Sequence, residues 1–343
     1  MANQSVRNAV GVVGQQTYPY DPTTPPTTAG SVLVNGNSQA YTIDPVGGTI
    51  TVTDYTFTGG ESIVIIGATA SAPQAVVSNA IPQPFRNLIR NARFSINQRA
   101  TASPYTLAAN AYGHDGVKGG AAGATYTYAL AANGIDTVIT VTAGSIILPI
   151  ESAMIAGGVY TVQNHGTSRA RVWQGLGTTG SGSYVATPFT TPNMTANTQT
   201  NVEFGLGTVW LPQFELGSSA TVFEWRPDWI EWPLCYRYLL RYLGNFINEK
   251  VPAAGIIVST SSAIISVALP FPMRATPALI QSGVQLSDGT TTAAILNITI
   301  DVASPVSPSY NVVTLSSSFV VGRAGQLSAT GATSSLLLMA ELQ

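Results

Sequence analysis

Short apolar runs separated by turn residues recur along most of the chain. In TITVTD, Ile50 and Val52 alternate with threonines, and a period of two is typical of a half-buried strand. Similar runs after residue 87 include ATYTYAL, DTVITVTA, SIILPI and VYTVQNHG, with clusters of glycine between them. Many short strands at this spacing predict an all-β protein made of modular β-sandwiches of a jelly-roll-like type.

The prolines and turns divide the chain into four segments. Residues 1–30 contain four prolines and are predicted to be an extended arm for attachment. Residues 31–86 are a small β-unit and connector, in which the strands flanking the turn at residues 45–48 should pair as a hairpin. Residues 87–245 are the predicted jelly-roll module, and residues 246–343 are a predicted C-terminal β-sandwich.

One segment has a helical rather than a strand-like pattern. Between residues 229 and 243, apolar side chains recur every three or four positions, which predicts a short helix with one broad apolar face. Asp228 is a candidate N-cap, Pro233 suits the first turn and Gly244 suits the exit. The high aromatic content leaves an extended strand as the alternative. The predicted face consists of Trp229, Trp232, Tyr236, Leu239, Leu240 and Leu243.

The composition is poor in charge. Asp, Glu, Lys and Arg make up only 9% of the residues, and the formal net charge is −2. Soluble monomers normally cover their surface with charge, so we expect much of this surface to be buried against other chains or to carry neutral hydroxyls and amides. The sequence has no stripe of basic residues that could replace the counterions of a nucleic acid, so no binding to nucleic acid is expected. Arg86, Arg90, Arg93 and Arg99 are expected to form ion pairs at a domain junction, with contact to an anionic glycan as the alternative.

Neither a membrane segment nor a secretion signal is visible. The chain has no apolar run near the length of a membrane span, and MANQSVRNAV lacks the regions of a signal peptide. We therefore expect no membrane insertion and assembly in a cytoplasm.

Few residues could perform catalysis or bind a metal. Cys235 is the only cysteine and lies in an apolar run, which favours a buried free thiol. His114 and His165 belong to no metal-binding spacing and are interpreted as surface or turn residues. We expect no enzyme activity, no metal and no cofactor. A carboxylate pair for glycan hydrolysis stays open as an alternative, because such a pair has no fixed spacing.

Four motifs occur in a fixed order along the chain. They read N-L-x-x-N-x-x-F-x-I-x-Q-R from Asn87, Y-x-x-D from Tyr112, F-E-x-R-P from Phe223 and L-C-x-R-Y from Leu234. A further, partial motif, FPMRATP, follows them at residues 271–277. In this order they resemble the glycan-binding-type β-sandwich module of bacteriophage tail-fibre and appendage proteins. The resemblance covers roughly residues 87–277, and none of its motifs is catalytic.

The resemblance implies that residues 87–245 are a carbohydrate-binding-like module. Sugars stack on aromatic rings and form hydrogen bonds with short polar groups, so Trp173 and Tyr184, which lie near Gln174, Ser183 and glycines, are candidate sugar-binding residues. Core packing is the alternative for the rings of Trp173 and Tyr184. The Y-x-x-D motif adds three further candidates. These three are Tyr112, His114 and Asp115.

Two features modify that expectation. Where the family continues with an aromatic residue after Y-x-x-D, this chain has Gly116, Val117 and Lys118, so the sugar-binding surface is altered. In F-E-x-R-P, Arg226 is expected to pair with Glu224 or to cap a turn, which is a structural role.

The resemblance and the composition together predict a virion structural protein of a tailed phage, as a tail-fibre or appendage subunit that adheres to host-surface glycan. Fibres of this kind are homotrimers, which fits the low charge. Residues 1–30 would dock onto other virion proteins, and the chain would join the virion in the host cytoplasm. Two alternatives stay open, a capsid-bound head fibre or decoration protein and a depolymerase of surface polysaccharide.

Overall fold

The computed structural model describes residues 85–242, 250–315 and 318–342, together with the backbone of the strands between residues 5 and 68. The protein is all-β, with one short α-helix among these described residues, which confirms the predicted fold class. The chain divides into two compact units, residues 1–82 and 83–343.

The first unit contains two antiparallel sheets. Its strands are β1 (Ser5–Val10), β2 (Thr17–Pro19), β3 (Thr28–Val34), β4 (Asn37–Gln39), β5 (Tyr41–Asp44), β6 (Thr49–Val52) and β7 (Ser62–Ala68). The sheet orders are β1-β7-β3-β4 and β2-β6-β5. Asp44 pairs with Thr49, which confirms the predicted hairpin. β1 and β2 come from the predicted arm and pair with β7 and β6, and the arm's remaining residues before Thr28 lie outside those described.

The second unit begins with a sandwich of two sheets. Its strands are β8 (Tyr105–Leu107), β9 (Lys118–Leu130), β10 (Thr137–Ile150), β11 (Tyr160–Gln163), β12 (Ala170–Gln174), β13 (Phe189–Thr190), β14 (Thr200–Phe204), β15 (Gly207–Val209) and β16 (Gln213–Leu216). One sheet has the order β12-β14-β10-β9-β8, with β15 also on β10, and the other has the order β13-β11-β16. A short 3-10 helix, Ser152–Met154, follows β10.

The two sheets share one hydrophobic core. Leu148 and Val202 project from the larger sheet into the same buried cluster as Val162 from the smaller one. Within the smaller sheet, the rings of Tyr160 and Phe214 stack 4.7 Å apart. Because side chains alternate between the faces of a strand, the neighbours of Leu148 and Val202 point to the outer face of the larger sheet.

The helix is shorter than the sequence pattern predicts. α1 spans Asp228–Tyr236 and is followed by the strand β17 (Leu239–Tyr242), so the predicted helix over residues 229–243 is correct only in its first half. Pro233 lies inside the helix rather than in its first turn, and the N-cap is Pro227, without a side-chain capping bond, rather than the predicted Asp228. Leu239 and Leu240 are buried as strand residues, opposite Met339 and Leu338. The predicted exit, Leu243 and Gly244, lies outside the described residues.

The C-terminal strands form a barrel and a small sheet. They are β18 (Ala253–Ser259), β19 (Ser262–Val267), β20 (Ala278–Ser282), β21 (Val284–Ser287), β22 (Thr292–Val302), β23 (Ser309–Thr314), β24 (Ala324–Ala329) and β25 (Ser335–Met339). Six of them close in the order β18-β19-β23-β22-β21-β24, and the others form the sheet β17-β25-β20. A closed barrel therefore takes the place of the predicted C-terminal β-sandwich. Closure pairs both edges that an open sheet would expose.

Candidate functional site

The motif residues of the first and third blocks contact each other directly. The Arg226 guanidinium donates to the backbone oxygens of Asn87, at 2.7 Å, and Ile89, at 2.6 Å. Its Nε donates to Oε1 of Glu231 at 2.7 Å, and Oε2 of Glu231 accepts the backbone N–H of Asn91 at 2.8 Å. All of these groups are buried. Arg226 thus has the predicted structural role, with Glu231 as a closer partner than Glu224, which lies 3.8 Å away.

The Y-x-x-D residues belong to the same structural junction. Asp115 is buried and accepts the backbone N–H of Gln98 at 2.8 Å, and burial raises its pKa to about 6. His114 lies in a turn, one of its two predicted settings, but it is buried rather than at the surface, and this burial lowers its pKa to about 4. The Tyr112 hydroxyl donates to the Leu342 carbonyl at 2.6 Å. All three side chains thus make their contacts within the protein.

The four arginines near the first motif form the predicted ion pairs. Arg90 and Arg99 both reach Glu341, at 3.0 Å and 3.2 Å, and so connect the sandwich to the C-terminal segment. Arg93 pairs with Asp136 at 2.6 Å, and Arg86 lies 3.4 Å from Glu215.

Trp173 and Tyr184, the two predicted stacking residues, come together on the outer face of the larger sheet. Both donate to one carboxylate, Glu203, with Trp173 Nε1 at 3.1 Å and the Tyr184 hydroxyl at 2.7 Å. Arg171 binds the same carboxylate through two nitrogens, at 2.9 Å and 3.1 Å. Burial opposes the charge on Glu203, but the hydrogen bonds from Arg171, Ser145 and Tyr184 outweigh it and lower its pKa.

A glycine-rich loop, residues 175–184, covers this face. Three of its carbonyl oxygens accept hydrogen bonds from the sheet. Gly175 accepts from Asn201, Gly177 from Lys118 and Gly182 from Arg171. A Cβ atom at Gly180 would collide with Trp173. Trp173 is consequently buried beneath the loop, and Tyr184 is half-buried. The geometry thus favours the alternative of packing for Trp173.

Lys118 is a charged residue on the same outer face of the larger sheet. Register places it in one row with Ile147, Glu203 and Arg171 across four strands, so all four side chains project from the same face. The side chain is fully buried, and its ammonium group donates to Gly177 at 2.8 Å. Burial lowers the pKa of Lys118 to about 8.

A row of aromatic rings lies elsewhere, on α1 and at Phe271. Within it Tyr236 is half-buried and packs against the core of the C-terminal strands. We call Trp229, Trp232, Tyr236 and Phe271 the aromatic ridge. The first three recur at helical spacing on one face, with Trp229 74% and Trp232 37% exposed. The rings of Trp232 and Tyr236 lie 5.4 Å apart, and Tyr236 stacks on Phe271 at 6.3 Å with an interplanar angle of 22°. The spacing of the aromatic residues predicts this shared face, but as a packing face rather than an exposed one.

The opposite side of α1 explains this orientation. Glu231 and Cys235 are its buried residues, as the sequence predicts for the thiol, and the charge of Glu231 is matched by Arg226. With this paired carboxylate turned inward, Trp229 and Trp232 lie on the outer side of the helix. Exposed contiguous apolar rings are typical of an interaction surface.

A pocket of about 250 Å³ lies beside the helix. Apolar side chains such as Leu88, Ile150 and Leu234 line much of it. At its rim Arg237 binds both oxygens of Glu151, at 2.9 Å and 3.0 Å. Burial opposes the charge on Glu151, but hydrogen bonds from Arg237 and Tyr238 lower its pKa.

The described residues contain neither a metal cluster nor a membrane-spanning helix. No group of three or more His, Cys, Asp or Glu side chains is arranged there to hold a metal. Within the same part of the chain, no helix is both long enough and apolar enough to cross a membrane. Comparisons with family models, curated proteins and solved structures gave no match to this chain.

Proposed function

We propose that the protein is a structural subunit of a tailed-phage appendage and that the aromatic ridge binds host-surface glycan. The observation that carries the proposal is the exposure of the Trp229 and Trp232 rings on α1. Pyranose rings present apolar C–H faces that stack on such side chains, while their hydroxyls need nearby polar partners. The ridge takes the adhesive role that the sequence pattern assigns to Trp173 and Tyr184.

Polar groups suited to sugar hydroxyls flank the ridge. Asp228 lies one helical turn from Trp232, and its side chain is 52% exposed while Oδ1 accepts from Arg93 at 3.1 Å. Arg237, just after α1, has a side chain 42% exposed beside Glu151. Both charges already have a partner, which favours a neutral sugar over an anionic one.

The scaffold is suited to adhesion because it holds α1 rigidly. Arg226 and Glu231 tie the helix to residues 87–91, and β17 continues the chain into the sheet with β25. The same contacts support the resemblance to phage appendage modules, since its separate motif blocks meet in space. We further propose attachment to other virion proteins through residues 1–30, and a homotrimer.

Binding to a panel of neutral hexose and N-acetylhexosamine oligosaccharides tests the proposal. Removing both exposed indoles with Trp229→Ala and Trp232→Ala should weaken binding by roughly three- to tenfold per ring, because each stacked ring contributes about 1 kcal/mol. Trp225→Ala is the matched control, since it removes an exposed indole outside the ridge.

Each result is informative. Equal binding by the double variant and the wild-type chain would refute ridge adhesion. A changed molecular mass in the double variant would instead identify the ridge as a contact between copies. Release of reducing ends from the panel would favour the depolymerase alternative.

A further inference from the structure

The buried ammonium group of Lys118 forms no ion pair with a carboxylate among the described residues. Its hydrogen bond there goes to the carbonyl oxygen of Gly177, although an ammonium group can donate three. Burial lowers the pKa of Lys118, and the charge of Glu341 opposes this effect. Glu341 is itself paired with Arg90 and Arg99. Lys118 is thus a buried cation that the described part of the chain leaves uncompensated, which is costly in free energy.

The carboxylate in the same row of the sheet, Glu203, is already occupied by other donors. These are Arg171, which makes two hydrogen bonds, Ser145, Trp173 and Tyr184. A carboxylate has about four lone-pair sites, so these bonds use its capacity to accept. The row therefore contains two cations, Lys118 and Arg171, and one carboxylate.

Both cations hold the glycine-rich loop through its carbonyl oxygens. Lys118 donates to Gly177 at 2.8 Å, and Arg171 donates to Gly182 at 3.2 Å. In the described part of the chain, residues 176–183 make no other hydrogen bond, and Leu176 is 69% exposed. A segment with so few hydrogen bonds and so little buried apolar surface opens at a low cost in free energy.

An oxyanion would bind the ammonium group more strongly than a carbonyl oxygen does. It adds the attraction between opposite charges to the hydrogen bond, and this attraction is larger beneath the loop than in water. An anion at Lys118 would therefore displace the carbonyl oxygen of Gly177 and compensate the buried charge.

We propose that the glycine-rich loop is a lid over a binding site for a small oxyanion, a carboxylate or a phosphate group, with Lys118 as its anchor. When the loop opens, the oxyanion replaces the Gly177 carbonyl on the ammonium group. The Arg171 nitrogen that leaves Gly182 becomes a second donor. The site uses none of the residues of the aromatic ridge, so the proposal does not depend on glycan binding there.

Titration of the full chain with glucuronate, inorganic phosphate and neutral glucose tests the site. At least one of the two anions should bind, and glucose should not. Lys118→Met should weaken anion binding by about tenfold or more, because it removes the charged donor. Lys250→Met is the matched control, since Lys250 is the other lysine of the chain and is exposed. Thermal unfolding confirms that each variant is folded.

The two anions distinguish the source of the ligand. Tighter binding of glucuronate would identify an acidic sugar, and tighter binding of phosphate would identify a phosphate ester. If neither anion binds, or if Lys118→Met binds as well as the wild-type chain, the proposal is wrong.

The pH dependence of glucuronate binding provides a measurement without substitution. Lys118 loses its proton near pH 8, so affinity should fall by about tenfold per pH unit above that value. The groups that face Lys118 keep their charge in this range. Tyr112, opposite Lys118, stays neutral because burial raises its pKa, and Glu203 stays charged because hydrogen bonds outweigh burial and lower its pKa. A flat profile from pH 7 to pH 10 would exclude Lys118 as the anchor.

Gly180→Ala tests the role of the loop. A Cβ atom at this position would collide with Trp173, so the loop could not close over the sheet. Because the Gly177 carbonyl would then compete less for Lys118, anion binding should become tighter than in the wild-type chain. Unchanged or weaker binding would show that the loop is not a lid over the site.

Discussion

Arg226 and Glu231 lie five residues apart and form a buried ion pair, with 2.7 Å between Nε and Oε1. Each partner also holds the distant segment 87–91, Arg226 through two carbonyl oxygens and Glu231 through the N–H of Asn91. The pair therefore does two things: it neutralises the inner face of α1 and joins motif blocks more than 130 residues apart. Both charges therefore also make hydrogen bonds to the backbone, as burial of an ion pair requires.

Arg226→Met should lower the free energy of unfolding by about 3–5 kcal/mol, because it leaves the Glu231 carboxylate buried without its counter-charge. Urea denaturation of the full chain measures this loss. Arg323→Met is the control, since Arg323 is partly exposed and lies 3.7 Å from Asp288. That change should cost less than about 1 kcal/mol. Similar costs for both variants would contradict the special role of the buried pair.

Trp173→Ala should be a stability variant rather than a binding variant. The indole is buried under the glycine-rich loop and donates to Glu203, so its removal should cost about 3–5 kcal/mol. Tyr184→Phe, which removes only the hydroxyl donated to Glu203, should cost about 1 kcal/mol. Thermal unfolding and the oligosaccharide panel together provide the test. Lost sugar binding at unchanged stability would restore Trp173 as a sugar-binding residue.

Lys118 should make stability depend on pH in the alkaline range. Burial lowers its folded pKa to about 8, against an ordinary value of 10.5. Between these values the unfolded chain binds the proton and the folded chain does not, so this group raises stability as pH increases from 8 to 10.5. Below pH 8 its burial is a constant cost. Lys118→Met should consequently be more stable than the wild-type chain at pH 7, with the difference shrinking towards pH 10.

Chemical denaturation of both proteins at several pH values isolates this effect, because the other titrating groups are common to the pair. A constant difference between the two proteins from pH 7 to pH 10 would show that Lys118 titrates at its ordinary pKa. The hydrogen bond to Gly177 further predicts that loss of the ammonium group loosens the covering loop, which amide exchange at residues 175–184 would detect.

Local patterns account for much of the fold and for part of the site. Alternation in TITVTD and the turn after Asp44 are properties of neighbouring residues, so the strands and the β5–β6 hairpin could be predicted. Burial of Cys235 and the ion pairs of the arginine group also followed from their neighbours. The spacing of Trp229, Trp232 and Tyr236 likewise placed these rings on one helical face.

Long-range contacts decided the rest. Leu239 and Leu240 have helical spacing, but pairing with β25 makes them a strand. Trp173 and Trp229 are both aromatic residues in polar surroundings; a loop buries the first, and an inward-facing Glu231 leaves the second exposed. Closure of the barrel depends on pairing of β18 with β24, about 70 residues further along the chain. Sequence by itself determined the periodicity and the local turns, whereas only the tertiary structure decided which apolar face meets a partner, because burial depends on residues that are distant in the chain.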